Sequence, residues 1–456
     1  MKSLLHRIPD PLTRQSLRQS AIDGVLWALM FGWSEHYIIP LVIFFKAGPF
    51  FVSLLTGLNQ LSISLFQFLG VPLVRRYRHR RMIAIIGNQL QALSWLLILL
   101  VAWRSGNIWI IMLLFVLGTG AINAASPGWF SWMNDIVPPL VKGEFWGKRN
   151  RIIGLTQLVA IVTGGMTLYF SKSRLGNEWI GFVVLITLAV ICRSLSYFPM
   201  AATHEPPMTP TPPARYLPIL SRVKRFLRSN FGRFIFFAIL TNFAVNILAV
   251  LLPIQFLNVL HFNYLLYTLV TLLPVISLQV SMSFWGPLTD RLGNYKIMRI
   301  GAFGTIFIAL FWVFAHHPLS IILLQLLSGF MLAAFNLSCQ NFIFESARRE
   351  HVPSSMALYN GLINICAFLG SLTGGLLARI TPSIGGYRFS ELNLEYVFLV
   401  SFLVRGAIFI LFIGTFREVR RFTARQSHSY TVINYPTRGL FTFLRRLGDK
   451  TDRDHR

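Results

Sequence analysis

The chain contains 456 residues, of which 54% are hydrophobic and only 13% are charged, and its net charge is +26. Soluble proteins carry roughly 25% charged residues, so this composition excludes an ordinary soluble globular protein and indicates that lipid is the solvent. The basic excess does not indicate nucleic-acid binding through phosphate contacts, because it lies on one side of the predicted helices, as described below.

Twelve apolar stretches are each long enough to cross a hydrocarbon core of about 30 Å as a helix, which takes roughly 20 residues. Helices are expected because they satisfy their own backbone hydrogen bonds where no water is available. The predicted fold is an all-α membrane protein with an N-terminal six-helix bundle over 22–199 and a C-terminal six-helix bundle over 233–416. The twelve predicted spans are 22–45, 51–74, 82–102, 108–133, 151–170, 179–199, 233–257, 264–288, 297–316, 319–344, 357–380 and 395–416.

Lys and Arg residues concentrate on the side of the predicted membrane where both chain ends lie. That side holds 34 of the 42, the loops of the other side hold six, and two lie within helices. Because basic loops remain in the cytoplasm, both termini are predicted to be cytoplasmic, beside the anionic head groups of a bacterial-type inner membrane. The segments assigned to this side include the N-terminus (1–21), a Pro-rich and basic linker (200–232) and a basic tail (417–456).

The two predicted bundles share residues at nearly one spacing. The pairs at an offset of 210 are Asp135 and Glu345, Asn150 and Asn360, and Thr163-Gly164-Gly165 and Thr373-Gly374-Gly375. Arg193 and Arg405 recur at an offset of 212. Six helices repeated with the same orientation predict two pseudo-symmetric bundles, related by an axis along the membrane normal, that can rock about a site at the midplane.

The loop after helix 8 carries a specific signature. It has a glycine, an aspartate, a base, a second glycine and a second base at five of six positions of a known pattern, namely Gly286, Asp290, Arg291, Gly293 and Lys296. This loop resembles the signature of the major facilitator superfamily, whose members are twelve-helix secondary transporters. The resemblance implies an inner gate here, and a simple helix-capping turn is the alternative. The equivalent loop after helix 2 departs from the pattern, with Arg75 at the aspartate position and Arg78 at the position of the second glycine.

A second resemblance lies after helix 4. Asp135 precedes Lys142 by the spacing of an acid and a base in sugar-porter-like members, and the second bundle has Glu345 at the matching position. The resemblance implies that these three residues also belong to the inner gate. Val352 stands where the second copy should have its base, so the subfamily stays open.

Charged residues inside predicted spans are candidates for function, because a charge at the membrane centre costs roughly 2.5–3.5 kcal/mol on insertion scales. Glu35 lies near the middle of helix 1 and is the predicted proton carrier, with structural pairing or a hydrated outer vestibule as the alternative. Arg405 lies in the middle of helix 12, where it would contact either the substrate or a structural partner. Asp23 is predicted to cap or gate the inner end of helix 1, and Arg193 to reach the interface from helix 6.

Uncharged polar residues on helices 4, 7 and 10 complete the set of candidates, since the resemblance implies that these helices and helix 1 line the cavity. They are Asn123, Ser126, Asn242, Asn246, Asn336 and Gln340. Polar side chains also hold helices together, which is the alternative for each of them. A cavity with amides, aromatic rings and few charges favours a neutral or amphipathic organic solute.

The sequence contains no glycine-rich phosphate loop with lysine, no catalytic triad and no cluster of metal ligands, so neither an enzyme activity nor a cofactor is predicted. The predicted function is secondary active transport of a small organic solute by alternating access, with the proton gradient as the favoured energy source and a monomer as the expected state. The alternatives are a drug or metabolite exporter, or a protein that keeps this scaffold without pumping, such as a sensor or a lipid-translocating protein.

Overall fold

The computed structural model describes residues 8, 10–77, 79–138, 141–207, 229–346, 352–380, 383–384, 387–388 and 394–418. Twelve helices in this part of the chain are long and apolar enough to cross a membrane, which confirms the predicted fold class. They are α1 (Pro11–Phe44), α2 (Pro49–Tyr77), α3 (Arg80–Arg104), α4 (Ile108–Ile136), α5 (Lys142–Leu175), α6 (Glu178–Ala201), α7 (Asn230–Val259), α8 (Tyr264–Leu292), α9 (Asn294–Val313), α10 (Pro318–Ser346), α11 (Val352–Leu377) and α12 (Leu394–Thr415). Two short antiparallel strands, β1 (Ser383–Ile384) and β2 (Tyr387–Arg388), lie between α11 and α12.

Several helices extend beyond their predicted spans, because hydropathy detects only the part of a helix that lies in lipid. The first helix begins at Pro11 rather than at residue 22, and the Asp10 side chain caps it by accepting hydrogen bonds from the backbone N–H groups of Leu12 and Thr13 (3.2 and 2.9 Å). Proline at the first helical position and aspartate before it are a favoured helix start. Residues 208–228 of the predicted linker and 419–456 of the predicted tail lie outside the described residues.

The first helix of each bundle is broken near the face away from the chain ends. In α1 the regular helix ends at Trp33 and a 3-10 turn spans Glu35–Tyr37, and in α7 the regular helix ends at Ala249 before a π turn over Gln255–Val259. Proline cannot donate a backbone hydrogen bond and clashes with the carbonyl four residues earlier. Pro40 and Pro253 stand at matched positions, and each therefore interrupts its helix.

The two bundles are joined at one face and separate at the other. We call the side of the loops after the even-numbered helices the basic face, and the other side the opposite face. Near the opposite face, one buried cluster contains residues of both bundles, among them Leu41, Tyr37, Ile254 and Tyr267. Among the described residues, each buried cluster near the basic face belongs to a single bundle. The bundles are therefore closed at the opposite face and, in the described residues, share no buried core at the basic face, although α2 and α11 still touch midway, where the hydroxyl of Ser64 donates to the carbonyl oxygen of Gly361 (3.2 Å).

Polar contacts also join the bundles at the opposite face. The Tyr37 hydroxyl donates to the carbonyl oxygen of Ile161 (2.5 Å) and lies 2.9 Å from the Thr268 hydroxyl of the second bundle. The hydroxyl of Tyr264 donates to Glu178 (2.6 Å), a carboxylate of the first bundle. The two contacts between the bundles, Tyr37 with Thr268 and Tyr264 with Glu178, must break for the opposite face to open.

The repeated Gly-Gly doublets lie where helices approach most closely. A Cβ atom added to Gly164 would come 2.5 Å from the Tyr37 ring within the first bundle, and one added to Gly165 would come 2.9 Å from the Cβ of Thr268 in the second bundle. In the other doublet, Gly374 packs on the backbone of α7 in its own bundle and Gly375 on α2 of the first bundle. In each repeat, the second glycine therefore brings the two bundles into contact.

Candidate functional site

A cavity of about 420 Å³ lies inside the first bundle. All of its lining residues belong to α1–α6, and they extend from Glu35 to the exposed residues Phe130 and Asn150 towards the basic face. The charged and amide side chains in its wall are Asp23, Glu35, Arg149, Arg193, Asn59, Asn88, Gln91, Asn123 and Asn150. Two carboxylates and two guanidinium groups make its wall far more charged than the sequence had indicated.

Glu35 lies in the cavity wall, where the break in α1 turns it out of the regular helix. The amide of Gln91 on α3 donates a hydrogen bond to Glu35 Oε1 (2.6 Å). The helix is interrupted before Pro40, and on a continuous helix Glu35 would lie on a different face. This interruption is the local reason why Glu35 lies in the cavity wall. The residue predicted as the proton carrier therefore lies beside a polar cavity, which keeps a transport role open.

Arg193 is connected to Glu35 through the same amide. Its Nε donates to Gln91 Oε1 (2.7 Å), and its guanidinium interacts electrostatically with both Asp23 and Glu35. With only 2% of its surface exposed, Arg193 does not reach the interface, so that prediction was wrong. The two nearby carboxylates explain why it stays inside, since an opposite charge offsets the cost of burying a guanidinium.

Asp23 is also buried, and it neither caps nor gates the end of α1. Because α1 begins at Pro11, Asp23 lies in the middle of the regular helix, where the Ser196 hydroxyl of α6 donates to its Oδ1. The prediction failed because the helix start was placed eleven residues too late, at residue 22. Asp23 instead contributes a second carboxylate to the cavity.

Arg149 completes a row of alternating charges. Its guanidinium lies over the rings of Trp129 (4.8 Å) and Trp146 (5.5 Å), its Nε donates to the carbonyl oxygen of Ser20 (3.2 Å), and its charge interacts with Asp23. The order along the cavity is Arg149, Asp23, Arg193 and Glu35. Cation–π contacts of this kind stabilise a partly desolvated cation.

Sequence reasoning missed Arg149 and Gln91 for different reasons. Arg149 was counted with the basic loop after helix 4, although it immediately precedes the repeated residue Asn150, which was an available signal. Gln91 lies on α3, a helix not expected to line the cavity, and a single amide in an apolar helix gives no pattern.

The uncharged candidates of the first bundle border the cavity, and those of the second bundle do not. Asn123 and Ser126 are in its wall, although both also donate to carbonyl groups of their own helix. In the second bundle, Asn242 and Asn246 donate to carbonyl groups one turn earlier (3.0 and 2.8 Å). Asn336 is half-buried and Gln340 is exposed. The structure therefore does not gather the candidates of both bundles around this one cavity.

Arg405 is held by backbone groups. Its two Nη atoms donate to the carbonyl oxygens of Thr305 on α9 (2.6 Å) and Val245 on α7 (3.4 Å). These contacts tie three helices of the second bundle together. They favour the structural alternative for Arg405, in contrast to its repeat partner Arg193.

The loop after α2 forms an ion pair although it has lost the signature. Nη1 of Arg80, which is buried, lies 2.5 Å from Oδ2 of Asp135, the acid predicted at the gate. The backbone N–H of Arg81 donates to Glu205 (3.2 Å). Lys142 donates to the side chain of Asn134 instead of pairing with Asp135. Arg78 lies outside the described residues.

The signature loop of the second bundle has the turn that its sequence predicts. Gly293 ends α8 with φ +89°, a conformation that disfavours any residue with a Cβ atom. Gly286, by contrast, has open space around it among the described residues, so close packing there is absent in this conformation. The exposed residues at the basic face include Asp290 and Arg291, whereas Lys296 and Glu345 are half-buried.

A glutamate contacts the start of the third helix in both bundles, which the sequence analysis did not find. Glu418 accepts a hydrogen bond from the backbone N–H of Tyr295 at the start of α9 (2.8 Å), as Glu205 does from Arg81 at the start of α3. A carboxylate is favourable at the positive end of a helix. The two glutamates are 213 residues apart, close to the offset of the other repeated residues, so a search near that offset would have found them.

Twelve membrane helices form two repeated bundles, and the first bundle encloses a polar cavity. The sequence profile described as Major Facilitator Superfamily matches residues 25–371 and 234–447, and the chain belongs to this superfamily. It is therefore a multi-pass membrane protein.

Curated relatives match only part of the chain. An uncharacterised transporter of Buchnera aphidicola is 27% identical over 139 residues, which are 30% of this chain and 32% of that protein. The multi-drug resistance efflux pump PmrA homolog of Lactococcus lactis is 29% identical over 113 residues, 25% of this chain and 27% of that protein. The chain thus spans about a third or less of the length of each of these relatives.

Solved structures match nearly the whole chain. The nucleoside transporter NupG has a TM-score of 0.62 at 11% identity, over 89% of this chain and 99% of that one. The D-xylose-proton symporter has a TM-score of 0.63 at 13% identity, again over 89% and 99%. At such low identity the likeness concerns the fold alone.

Proposed function

We propose that this protein is a secondary active transporter that moves a small organic solute by alternating access, coupled to protons through Glu35. The moving units are the bundles over 22–199 and 233–416, and the basic face lies in the cytoplasm against anionic lipids of a bacterial-type inner membrane. Superfamily membership supports transport, and the closed opposite face, with no buried core shared between the bundles at the basic face in the described residues, supports alternating access. In this assignment the structure represents the inward-open state of a monomer.

The position of Glu35 is the observation that supports coupling of transport to protons. Its carboxylate borders the cavity and is joined through Gln91 to Arg193, which also faces Asp23. When Glu35 is ionised, Arg193 balances it, and when Glu35 is protonated, Asp23 still balances Arg193. Removing one partner of a buried pair usually costs about 3–5 kcal/mol, and the second carboxylate lowers this cost. Glu35 can therefore change its charge as the protein cycles.

Flux in proteoliposomes under an imposed pH gradient tests this function. The cargo is first selected by a thermal-shift screen of the purified protein against a metabolite library. We expect flux to follow the gradient in the wild type, to lose this dependence in Glu35→Gln, and to keep it in the control Glu395→Gln, which replaces a carboxylate near the opposite face and outside the cavity wall. Flux in the wild type that ignores the gradient would refute coupling and leave a uniporter.

Export is a second candidate direction, favoured by the relative named as a multi-drug resistance efflux pump. Reversing the gradient in the same liposomes distinguishes the two directions. A scaffold that senses or moves lipid without pumping a solute is the remaining alternative, and the departure of the loop after α2 from the signature is the observation that supports it. The ion pair between Arg80 and Asp135 weakens it, because the loop still contacts α4. Lipid movement without solute flux would favour it.

A further inference from the structure

Arg193 offers donors that the protein leaves unused. Within the described part of the chain, it makes its one hydrogen bond through Nε, to Gln91. Its two Nη atoms remain for other acceptors, and the side chain is 98% shielded from bulk solvent while bordering the cavity. A buried guanidinium needs acceptors for its N–H groups. The cavity is the place from which such an acceptor can come.

The charges around Glu35 set what the cavity can accept. Arg193 comes from α6, Asp23 from α1 itself, and Arg149 from α5, while α2, α3 and α4 contribute only uncharged residues to the wall. His36, the next residue, lies instead 3.5 Å from Thr271 of the second bundle. The wall is neutral when both carboxylates are ionised. Protonation of Glu35 leaves it with one excess positive charge and frees Arg193 from one of its two counter-charges.

We infer that the cargo is a small organic anion whose carboxylate binds the two Nη atoms of Arg193 while Glu35 carries a proton. This inference rests on the proposed coupling through Glu35. A planar carboxylate matches the fork of a guanidinium in a bidentate contact. An anion restores the neutrality that the proton disturbs, whereas a cation would compete with Arg193 for the carboxylates, and an uncharged solute would leave the excess charge in place.

The rest of the wall limits the size and surface of this anion. A volume of about 420 Å³ corresponds to roughly fourteen waters at about 30 Å³ each, which suits an acid of the size of a sugar acid or a bicyclic aromatic acid. Asn59 Oδ1 is buried without a hydrogen-bond partner in the described residues, so it can accept from a hydroxyl or N–H group of the cargo. The rings of Trp27 and Trp129 border the same space and can pack on a flat face.

The stoichiometry follows from this charge balance. A proton from the water on one side binds Glu35 as the anion binds Arg193, and both leave to the water on the other side. One proton and one negative charge cross together, so the cycle moves no net charge. Transport should respond to a pH gradient and not to a membrane potential.

Two matched ligand series test the inference on the full-length protein in detergent. The first consists of gluconate, glucose and glucosamine, and the second of indole-3-acetate, indole-3-ethanol and tryptamine. The melting temperature is measured against ligand concentration between about pH 5.5 and 8, a range in which the carboxylates of gluconate and indole-3-acetate stay ionised. In at least one series, we expect the carboxylate to stabilise the protein more than its alcohol and amine counterparts, with an effect that fades as pH rises and Glu35 ionises.

Variants assign this effect to the two residues. Glu35→Gln, which mimics the protonated acid, should bind the carboxylate at every pH in this range. Arg193→Gln should weaken its binding more than about tenfold, and Arg193→Lys, which keeps the charge without the fork, should weaken it less. Arg405→Gln is the matched control, because it removes the repeat partner of Arg193 that contacts only backbone carbonyls, and it should leave the ligand-induced shift unchanged.

The outcomes separate this inference from the proposed function. In both series, a carboxylate that stabilises no more than its alcohol or amine overturns the anion assignment, while gradient-driven flux that requires Glu35 would still uphold proton coupling. A carboxylate effect independent of pH in the wild type overturns the link to Glu35. If Arg193→Gln does not fold, Arg193→Lys decides, and unchanged carboxylate affinity in that variant refutes bidentate binding.

Discussion

The contact between Gly165 and Thr268 predicts how a single methyl group would shift the conformational equilibrium. In the closed opposite face, a Cβ atom at position 165 would lie 2.9 Å from the Cβ of Thr268 and 3.1 Å from the Tyr37 hydroxyl. Overpacking of this kind typically costs about 1–3 kcal/mol. The part of this cost that comes from Thr268 applies only to the closed state, since opening separates α5 from α8, whereas Tyr37 stays in the same bundle as Gly165. A difference of 1–3 kcal/mol changes an equilibrium constant by about 5- to 150-fold, and we expect Gly165→Ala to favour opening by a factor in this range.

Distances across the opposite face measure this shift. Spin labels at Ser105 in the first bundle and Leu319 in the second, both exposed, are introduced after Cys192, Cys339 and Cys366 are replaced by serine. The distance distribution should gain a longer component in Gly165→Ala. Gly154→Ala is the control on the same helix, because a Cβ atom there meets open space among the described residues. Identical distributions in the two variants would show that the doublet does not limit closure.

Two further predictions concern the basic face. Arg80→Gln removes the buried partner of Asp135, whose own carboxylate is exposed, and should destabilise the protein by about 1.5–3 kcal/mol, seen as a clear fall in melting temperature. Lys148→Gln removes a half-exposed pair that contributes about 0.3–0.5 kcal/mol, and equal effects would contradict the assignment. Hydrogen bonds from Thr13 hold the pKa of Asp10 below its usual range. A carboxyl whose pKa is lower in the folded than in the unfolded protein stabilises the fold above its unfolded-state pKa, and this stabilisation is lost as the pH falls through its folded-state pKa. The protection factor of the Thr13 amide, which is the intrinsic exchange rate at each pH divided by the observed rate, should therefore fall on acidification; a protection factor that stays constant would argue against the cap.

The number and order of the helices could be predicted because lipid imposes a long apolar run on every span. The helix starts could not, because hydropathy carries no information on polar turns beyond the lipid. The error at the start of α1 then changed the interpretation of Asp23 from a buried partner to an end cap. A search for the Asp10–Pro11 capping pattern would have corrected both.

The candidate site was partly predictable for a related reason. A single acid at membrane depth is conspicuous, so Glu35 was found. Its partners were not, because the contact between Gln91 and Arg193 depends on how α3 and α6 pack, which helical periodicity alone does not determine. The interpretation of Arg405 as structural stays consistent with its backbone contacts, while the roles of the amides in the second bundle stay predictions.

The confinement of the cavity to the first repeat has a consequence for how such a protein can diversify. Every wall residue of the cavity lies between positions 23 and 200, while the loop that keeps five of the six signature positions lies in the second copy. If the solute binds in this cavity, as proposed above, mutations that adapt it to a new solute can accumulate in one copy without changing the signature loop retained in the other. Exchanging first halves between relatives would then transfer solute preference, and exchanging second halves would alter speed alone.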